Sequence, residues 1–255
     1  MRILVIGDVV GKPGRRAVNQ LLPDLKQEIG LDMVIANAEN AAGGIGLTLN
    51  TAMELFDAGV DVLTSGNHIW AQKDIIPHLD GDLPILRPLN YPPGVPGRGY
   101  LVNWPVMVVN LMGRTFISEY DCPFRIMDKL LAETEDRPPI IIIDFHAEAT
   151  SEKVALGRYL DGRVSAVLGT HTHVGTIDTQ LLPRSTAYVT DIGMTGPMDS
   201  VIGSDVDAVI QRFLTMIPHS LPVGKGKVMF NGILIDLDDV SGQGRGIERI
   251  YREID

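Results

Sequence analysis

Short apolar runs that alternate with segments of helical periodicity constrain the fold of this chain more than any other feature. The first half contains the apolar runs RILVI, DMVIANA and DVLTS, and the second half contains IIIID and VSAVLG. Segments between them, such as RRAVNQLLPDLKQEIG, carry apolar residues at the three- and four-residue spacing that is typical of helices. Strands and helices that alternate in this way predict an α/β fold.

Two pairs of apolar runs have no helix between them. YLVNW and VMVVNLMG meet at Pro105, and KVMFNGILIDLDD is followed by RGIERIYREI after a connection that contains Gly242 and Gly244. Such pairs predict antiparallel hairpins beside the parallel strands. The combination predicts two mixed sheets packed face to face with helices outside, a four-layer α/β/β/α sandwich. No linker or repeat interrupts the chain, so we predict one domain over residues 1–255.

The net charge of the chain argues against one class of partner. The formal charge is −10, and binding to a long nucleic acid requires clustered cations instead. A small anionic substrate stays compatible with this charge, because a bound metal ion can reverse the local field around a few carboxylates. The charge therefore argues against a long polyanion and leaves a small anionic substrate open.

Cysteine usage and hydropathy indicate the setting of the protein. Cys122 is the only cysteine, so no disulfide forms within the chain, and a reducing, cytoplasmic setting is expected. No apolar segment reaches the length that a bilayer requires, so we predict no membrane span. The sequence does not decide between a monomer and a homo-oligomer.

Residues of metal-ligand or acid/base type follow five of the apolar runs. In open α/β sheets, ligands gather beyond the carboxyl ends of the strands, because the loops converge there. Imidazole nitrogen suits Zn, Mn and Fe, and carboxylate and amide oxygens fill the remaining positions of such a site. The residues at these strand ends are Asp8, Glu39, Asn40, Asn67, His68, His146, His171 and His173.

Each of these residues also has an ordinary structural interpretation when it is taken alone. Asp8 is typical of a turn or helix cap, Asn40 and Asn67 are common turn residues, and a single histidine beside a strand is more often structural than a ligand. The coincidence of eight such residues at five strand ends favours a shared site. His171 and His173 lie two positions apart, so both can turn to one centre.

Other catalytic motifs do not fit the sequence. Three residues separate Gly7 from Gly11, and Pro13 follows Lys12, whereas a phosphate-binding P-loop needs four residues and then Ser or Thr. The dinucleotide fingerprint and the serine-hydrolase elbow are missing, and Cys122 lacks the neighbours of an activated thiolate. The sequence therefore favours neither a nucleotide cofactor nor a covalent nucleophile.

The order of the polar motifs resembles that of the calcineurin-like metallophosphoesterases. Their sites use successive GD, GD-type, GNH, H and GHxH loops, and this chain has GD at Asp8, NAEN at Glu39, GNH at Asn67, a lone His146 and then GTHTH. Two positions depart from that pattern, because Val10 stands where histidine is usual and Glu39 where aspartate is usual. NAEN, GNHIW, DFHAEATSEK, GTHTHVGT and TDIGMTGP are similar to the YmdB-like branch, which is associated with cyclic-nucleotide phosphodiesterase activity, including 2′,3′-cyclic AMP.

The resemblance implies a calcineurin-like fold that holds two divalent or trivalent metal ions, either Fe, Mn or Zn. The carboxylate of Glu39 would bridge them, and Asn40 would replace the missing histidine. The first ion would take Asp8, Glu39, Asn40 and His173, and the second would take Glu39, Asn67, His146 and His171.

The same resemblance implies hydrolysis of small cyclic nucleotides by in-line attack of a metal-bridging hydroxide. His68 is then the expected catalytic acid, because it lies next to Asn67 and an unperturbed histidine has a pKa of about 6.5. Two alternatives keep the same residues. The site could act on phosphomonoesters or RNA ends, or the protein could be a non-catalytic regulator that binds phosphorylated ligands.

Further charged residues lie near these motifs. Asp144 and Glu148 flank His146 and are expected to orient its ring, as carboxylates commonly do for ligating histidines. Asp191 either supports the pocket or shapes a turn. Three basic residues near the first loop either contact substrate phosphate or are solvated, namely Lys12, Arg15 and Arg16.

Overall fold

Strands and helices alternate along most of the chain in a computed structural model that describes residues 1–255. The first half contains β1 (Arg2–Ile6), β2 (Asp8–Val9), α1 (Gly11–Ile29), β3 (Met33–Asn37), α2 (Leu49–Asp57), β4 (Val62–Thr64), a 3₁₀ helix (Lys73–His78), β5 (Tyr100–Asn103) and β6 (Val106–Met112). The second half contains α3 (Pro123–Glu133), β7 (Ile140–His146), α4 (Thr150–Leu160), β8 (Ala166–Thr170), β9 (Gln180–Leu181), β10 (Ala187–Val189), β11 (Met194–Pro197), α5 (Val206–Thr215), β12 (Val228–Leu237) and β13 (Gly244–Ile254).

The strands form two mixed sheets. The first sheet has the order β2-β11-β12-β1-β3-β4, with β13 paired to β12, and β1, β3 and β4 run parallel while β12 is antiparallel to β1. The second sheet has the order β5-β6-β7-β8-β10-β9, with a parallel centre and antiparallel edge strands. The predicted α/β class, the two mixed sheets and the two hairpins are confirmed.

Side chains that alternate along β1 enter different hydrophobic clusters. Leu4 belongs to a buried cluster that includes Leu22 of α1, whereas its neighbour Ile3 belongs to one that includes Val108 and Ile142 of the other sheet. A third cluster joins the second sheet to α3 and α4. Because strand side chains point alternately to opposite faces, both faces of β1 are buried, which explains its uninterrupted apolar sequence.

Helix α1 begins two residues after β2, the short strand that contains Asp8. It follows Val10 and ends at Gly30, whose φ of 70° lies in the left-handed region that glycine adopts without strain. The helix continues through Pro23, because burial of Leu22 and Leu25 on either side stabilises it despite the lost hydrogen bond. None of the helices is both long enough and apolar enough to span a bilayer.

The topology brings together the polar residues at the carboxyl ends of strands from both sheets. Strands β1, β3 and β4 run parallel, so the residues that follow them leave one edge of the first sheet. Strands β7 and β8 are parallel in the second sheet, and the residues at and beyond their ends leave its edge in the same way. The two edges meet where His146, at the end of β7, contacts Glu39, which follows β3.

Candidate active site

Glu39 lies at the centre of the site. It is 1% exposed, and its Oε1 lies 3.0 Å from Nε2 of His146. Its Oε2 accepts a hydrogen bond from the backbone N–H of His68 at 3.0 Å. Burial raises the pKa of the Glu39 carboxyl, but the charge and hydrogen bond of His146 outweigh burial and lower this pKa to about 2. The carboxylate is therefore ionised at neutral pH.

Gly66 makes room for the contact between Glu39 and His146. A Cβ atom at Gly66 would lie 2.2 Å from Cδ2 of His146 and 2.4 Å from Oε2 of Glu39. Every residue with a side chain would displace one of the two groups. The glycine of the GNH motif therefore has a physical role of its own, which the sequence analysis did not assign to it.

The ring of His146 is held by a hydroxyl group and a carboxylate. Its Nδ1 lies 2.9 Å from Oγ1 of Thr170, and that hydroxyl donates to Oδ1 of Asp144 at 2.6 Å. Because the hydroxyl proton is engaged by Asp144, Nδ1 of His146 donates to Thr170 and its Nε2 faces Glu39. Burial alone would lower the pKa of His146, but Glu39 and the other carboxylates outweigh burial and raise it to about 9. Asp144 thus orients the ring through Thr170.

His171 faces His146 across a short gap. Nδ1 of His171 lies 2.9 Å from Nε2 of His146, and Nε2 of His171 lies 2.9 Å from Oε2 of Glu148. The prediction that Glu148 orients His146 is therefore wrong, because Glu148 contacts His171 instead. Burial and the charge of His146 lower the pKa of His171 to about 3, so its ring is neutral at pH 7. Glu39, His146 and His171 offer ligand atoms within 4.8 Å of one another and form a metal-binding cluster.

Asp8 and His173 form a second group of donors. Asp8 is fully buried, and its Oδ1 has no hydrogen-bond partner and lies 3.7 Å from Nε2 of His173. Nδ1 of His173 donates to the backbone carbonyl of Ile202 at 2.7 Å, so its Nε2 presents a lone pair toward Asp8. Oδ2 of Asp8 accepts a hydrogen bond from the backbone N–H of His171 at 3.1 Å. Burial raises the pKa of the Asp8 carboxyl, although His173 and His146 oppose this effect.

The two asparagines and His68 complete the set of predicted residues. Nδ2 of Asn40 lies 3.1 Å from Nε2 of His173, and Oδ1 of Asn40 lies 3.0 Å from Nδ1 of His68. The amide nitrogen of Asn40, rather than its oxygen, therefore faces His173. Oδ1 of Asn67 is buried without a partner. The His68 side chain is 34% exposed, so it lies where the site opens to solvent.

An unusual backbone turns the last two histidines toward the site. His171 has a φ of 99° and His173 a φ of 66°, in the left-handed region that residues with side chains rarely adopt. Asp191 holds this loop, because its Oδ2 accepts hydrogen bonds from the backbone N–H of Thr172 at 3.1 Å and from Nζ of Lys153 at 2.7 Å. Asp191 thus supports the site and is more than a turn residue.

Lys153 is a supporting residue that the sequence analysis did not single out. Its side chain is 1% exposed, and its Nζ also donates to the backbone carbonyl of Thr170 at 2.8 Å. Its burial could have been predicted from the sequence. Lys153 lies at helical spacing from Leu156, Gly157 and Leu160, which form the buried face of α4. A lysine within an apolar stripe must find a buried partner, which here is Asp191.

The donor set fits metal ions. Nε2 of His146 and Nδ1 of His171 turn toward each other and toward Glu39, so only a shared proton or a cation stabilises the three groups together. Oδ1 of Asp8 and Oδ1 of Asn67 are buried without partners, and such oxygens cost free energy unless a ligand satisfies them. The donors are nitrogen and oxygen atoms, which suits zinc, manganese and iron.

The three basic residues near the first loop have different surroundings. Nε of Arg15 lies 2.6 Å from Oε2 of Glu54, and its Nη1 donates to the backbone carbonyl of Ala41. Arg15 is thus engaged within the protein and does not face a substrate. Lys12 and Arg16 line a cavity of ≈ 240 Å³ beside Gly224 at the start of α1.

The fold and the site together define an α/β protein whose strand ends carry a carboxylate and imidazole cluster able to hold a metal ion. The model of the family described as "YmdB-like protein" matches residues 4–250. The chain belongs to this YmdB-like family, and the resemblance in its motifs is confirmed.

Relatives of known sequence or structure match nearly the whole chain. A Bacillus subtilis (strain 168) protein named 2′,3′-cyclic-nucleotide 2′-phosphodiesterase is 49% identical, over 98% of this chain and 96% of that protein. A hypothetical protein from Thermus thermophilus has a crystal structure with a TM-score of 0.93 and 45% identity, covering 99% of both chains. A crystal structure described as a novel phosphatase from Mycoplasma pneumoniae has a TM-score of 0.93 and 33% identity, covering 99% of this chain and 93% of that one.

Proposed function

We propose that this protein is a two-metal phosphodiesterase that hydrolyses 2′,3′-cyclic nucleotides such as 2′,3′-cyclic AMP. The chain is a phosphoesterase hydrolase, the class to which its named relatives belong. The observation that carries the finer proposal is the position of Glu39 between two groups of donors. Its Oε1 lies 3.0 Å from Nε2 of His146 on one side and 3.4 Å from Nδ2 of Asn40 on the other.

Two ligand groups follow from this position of Glu39. The unpartnered oxygens of Asp8 and Asn67 and the inward nitrogens of the three histidines support the assignment. For Asn40, a half-turn of the amide group exchanges its oxygen and nitrogen and brings the oxygen to the site. One ion would be held by Asp8, Glu39, Asn40 and His173, and the other by Glu39, Asn67, His146 and His171.

The chemistry divides between the metal ions and the chain. Two ions held there would lower the pKa of a coordinated water and would neutralise charge on the phosphoryl oxygens. The chain keeps the ligands in place, because Thr170 fixes His146, Glu148 fixes His171, and the carbonyl of Ile202 fixes His173.

His68 is the proposed catalytic acid. Glu39 accepts a hydrogen bond from its backbone N–H, and its Nδ1 faces the side-chain amide of Asn40 at 3.0 Å. The half-turn that brings the Asn40 oxygen to the metal site places the amide nitrogen against Nδ1, so Nδ1 accepts a hydrogen bond and the ring proton is carried by Nε2 at the side of the site that opens to solvent. A proton on Nε2 is thus placed for donation to the ribose oxygen that leaves when the cyclic ester opens.

Hydrolysis of phosphomonoesters is the second candidate function. The description of the Mycoplasma pneumoniae structure as a novel phosphatase favours it. The same ligands and the same acid serve both reactions, because each needs a polarised phosphoryl group and a protonated leaving oxygen. The two functions differ in substrate, so comparison of substrates separates them.

The test combines metal content with hydrolysis. Wild-type protein is loaded with Mn²⁺, Fe²⁺ or Zn²⁺, and bound metal is counted by mass spectrometry of the elements. We expect two ions per chain and faster hydrolysis of 2′,3′-cyclic AMP than of a phosphomonoester. Glu39→Gln is expected to lose both ions and the activity, whereas the control Glu133→Gln, at an exposed position, keeps both. Two retained ions in Glu39→Gln, or no hydrolysis with any metal, would disprove the proposal.

The same proposal includes the organisation of the whole chain. The three hydrophobic clusters support a four-layer α/β/β/α order, because one cluster includes residues of both sheets and each of the others joins a sheet to helices. Ligands from both sheets support one domain over residues 1–255. The single cysteine supports the cytoplasmic setting.

A further inference from the structure

We propose that the loop of residues 114–120 binds the nucleobase of the substrate, an inference that rests on the proposed function and defines the substrate class. The loop lines an open cavity of ≈ 680 Å³, a volume within the range of small-molecule sites. Phe116 and Tyr120 supply aromatic surface to the cavity, and Arg114, Ser118 and Glu119 supply polar groups. This mixture suits a nucleobase, which has an aromatic face and a polar edge.

One end of the loop is attached to the strand that carries His146. The backbone N–H of Gly113 donates to the backbone carbonyl of His146 at 2.9 Å. Glu152, at the start of α4, accepts hydrogen bonds from the backbone N–H groups of Arg114 at 3.0 Å and Thr115 at 3.1 Å. The cavity therefore lies beside the end of the strand that carries a proposed metal ligand.

An aromatic chain links the other end of the loop to the catalytic side of the site. The ring centroids of Tyr120 and Tyr91 lie 4.9 Å apart at an interplanar angle of 67°, and those of Tyr91 and Trp70 lie 5.5 Å apart at 80°. Trp70 is two residues beyond His68. The two ring contacts therefore connect Tyr120 of the loop to the segment that follows His68.

Asn90 holds both ends of the loop in a fixed position. It is fully buried, and its Nδ2 donates to the backbone carbonyls of Met112 at 2.8 Å and Asp121 at 2.9 Å. Its Oδ1 accepts a hydrogen bond from the backbone N–H of Met112 at 2.8 Å. The cavity wall is thus preorganised, which lowers the entropy cost of binding a flat ligand.

Phe116 at the tip of the loop has the properties of a binding residue. Its side chain is 87% exposed, and its backbone has a φ of 65°, a conformation that is strained for a bulky residue. Neither the hydrophobic core nor the backbone benefits from a phenylalanine at this position. A base that stacks on Phe116 would cover its ring and would explain why an aromatic side chain is held there.

The test compares a nucleotide with a substrate that has no base. KM and kcat are measured for 2′,3′-cyclic AMP and for a methyl ribofuranoside 2,3-cyclic phosphate, in wild type, Phe116→Leu and Tyr120→Leu. Phe213→Leu is the matched control, since Phe213 is an exposed phenylalanine on α5. We expect each of the first two variants to raise KM for 2′,3′-cyclic AMP about tenfold, with kcat unchanged and with no effect on the base-free substrate. An unchanged KM, or an equal rise for both substrates, would overturn the inference.

Binding of adenosine provides a readout that needs no catalysis. Saturation-transfer NMR is expected to detect adenosine on the wild type and on Phe213→Leu, and to show binding about tenfold weaker to Phe116→Leu. If neither substrate is hydrolysed but adenosine binds in this order, the proposed function fails and the base site stands. If both substrates are hydrolysed equally well and adenosine does not bind, the base site fails and the proposed function stands.

Discussion

Nε2 of His146 lies 2.9 Å from Nδ1 of His171, and the two rings meet edge to face with their centroids 4.7 Å apart. The remaining nitrogen of each ring is engaged, with Thr170 for His146 and with Glu148 for His171. The two facing nitrogens therefore cannot both be unprotonated without a cation between them. In the metal-free protein this cation is the proton of His146.

Metal binding is therefore expected to release a proton. The pKa of His146 is about 9, above its ordinary value of 6.5, so the metal-free protein is protonated there at pH 7. The stability that this proton adds to the metal-free fold is complete below pH 6.5 and is lost as pH rises through 9. Apparent metal affinity should fall about tenfold per pH unit below pH 9, because one proton competes with the ion.

Calorimetric titration with Mn²⁺ at pH 7, in two buffers of different ionisation enthalpy, counts the released proton. His78→Gln, a half-buried histidine outside the proposed ligand set, should release as many protons as the wild type. Equal heats in both buffers, together with an affinity that does not change between pH 7 and pH 9, would show that His146 is not displaced.

Substitution of Gly66 should weaken metal binding without a change in any ligand. A Cβ atom there would lie 2.2 Å from His146, so Gly66→Ala must displace that ring or Glu39. We expect metal affinity to fall about 10- to 100-fold, the range for lost support of metal ligands. Gly246→Ala is the control, because its Cβ would meet nothing closer than 3.9 Å. Equal affinities of the two variants in a competition titration with a chelator would contradict this role.

The sequence predicted the strands that are buried on both faces, because such strands have uninterrupted apolar sequences. RILVI is β1, IIIID lies within β7, and VSAVLG overlaps β8 over residues 166–169. Helix α5 was not predicted, and the reason is physical. Only Val209 of this helix is buried, whereas Phe213 and Leu214 are 76% and 74% exposed, so its apolar residues do not mark a face toward the core.

The members of the candidate site were predictable because they follow strand ends, but their contacts were not. Glu148 is two residues from His146 in the sequence, yet the structure places it against His171. Arg15 and Lys153 have buried or half-buried partners that lie 38 or 39 residues away. Such pairings depend on how the loops of the two sheets meet, which no local spacing determines.

Loss of the Lys153 amino group should destabilise the fold strongly. Nζ of Lys153 lies 2.7 Å from Oδ2 of Asp191, and both side chains are at most 1% exposed. Lys153→Met removes one partner and leaves a buried carboxylate, so we expect the free energy of unfolding to fall by about 3–5 kcal/mol. Lys129→Met is the matched control. Its ion pair with Glu133 is exposed and 3.9 Å long, and its loss should change the free energy of unfolding by at most about 1 kcal/mol.

Urea unfolding of the metal-free proteins measures both changes. Removal of metal before the measurement separates the ion pair from the effects of ligand binding. If Lys153→Met and Lys129→Met unfold at the same urea concentration, the buried pair does not stabilise the loop of His171 and His173.

Replacement of His68 should strongly reduce turnover of 2′,3′-cyclic AMP and spare metal binding. Its ring contacts Asn40 through Nδ1, and the proposed ligands include none of its atoms. His68→Ala is therefore expected to retain the metal content of the wild type. Its kcat for 2′,3′-cyclic AMP, whose leaving ribose oxygen needs a proton, should fall by about 10²- to 10⁴-fold. With bis(p-nitrophenyl) phosphate, the leaving group is stable as an anion, so kcat should fall much less.

The comparison of the two leaving groups distinguishes an acid from a positioning residue. A histidine that only positions the substrate would reduce kcat for both substrates by similar factors, because both lose the same contact. A catalytic acid affects mainly the poor leaving group, since only that oxygen requires a proton in the transition state. The control His219→Ala, at an exposed position after α5, should match the wild type with both substrates. Near-normal turnover of 2′,3′-cyclic AMP by His68→Ala would remove His68 from the mechanism.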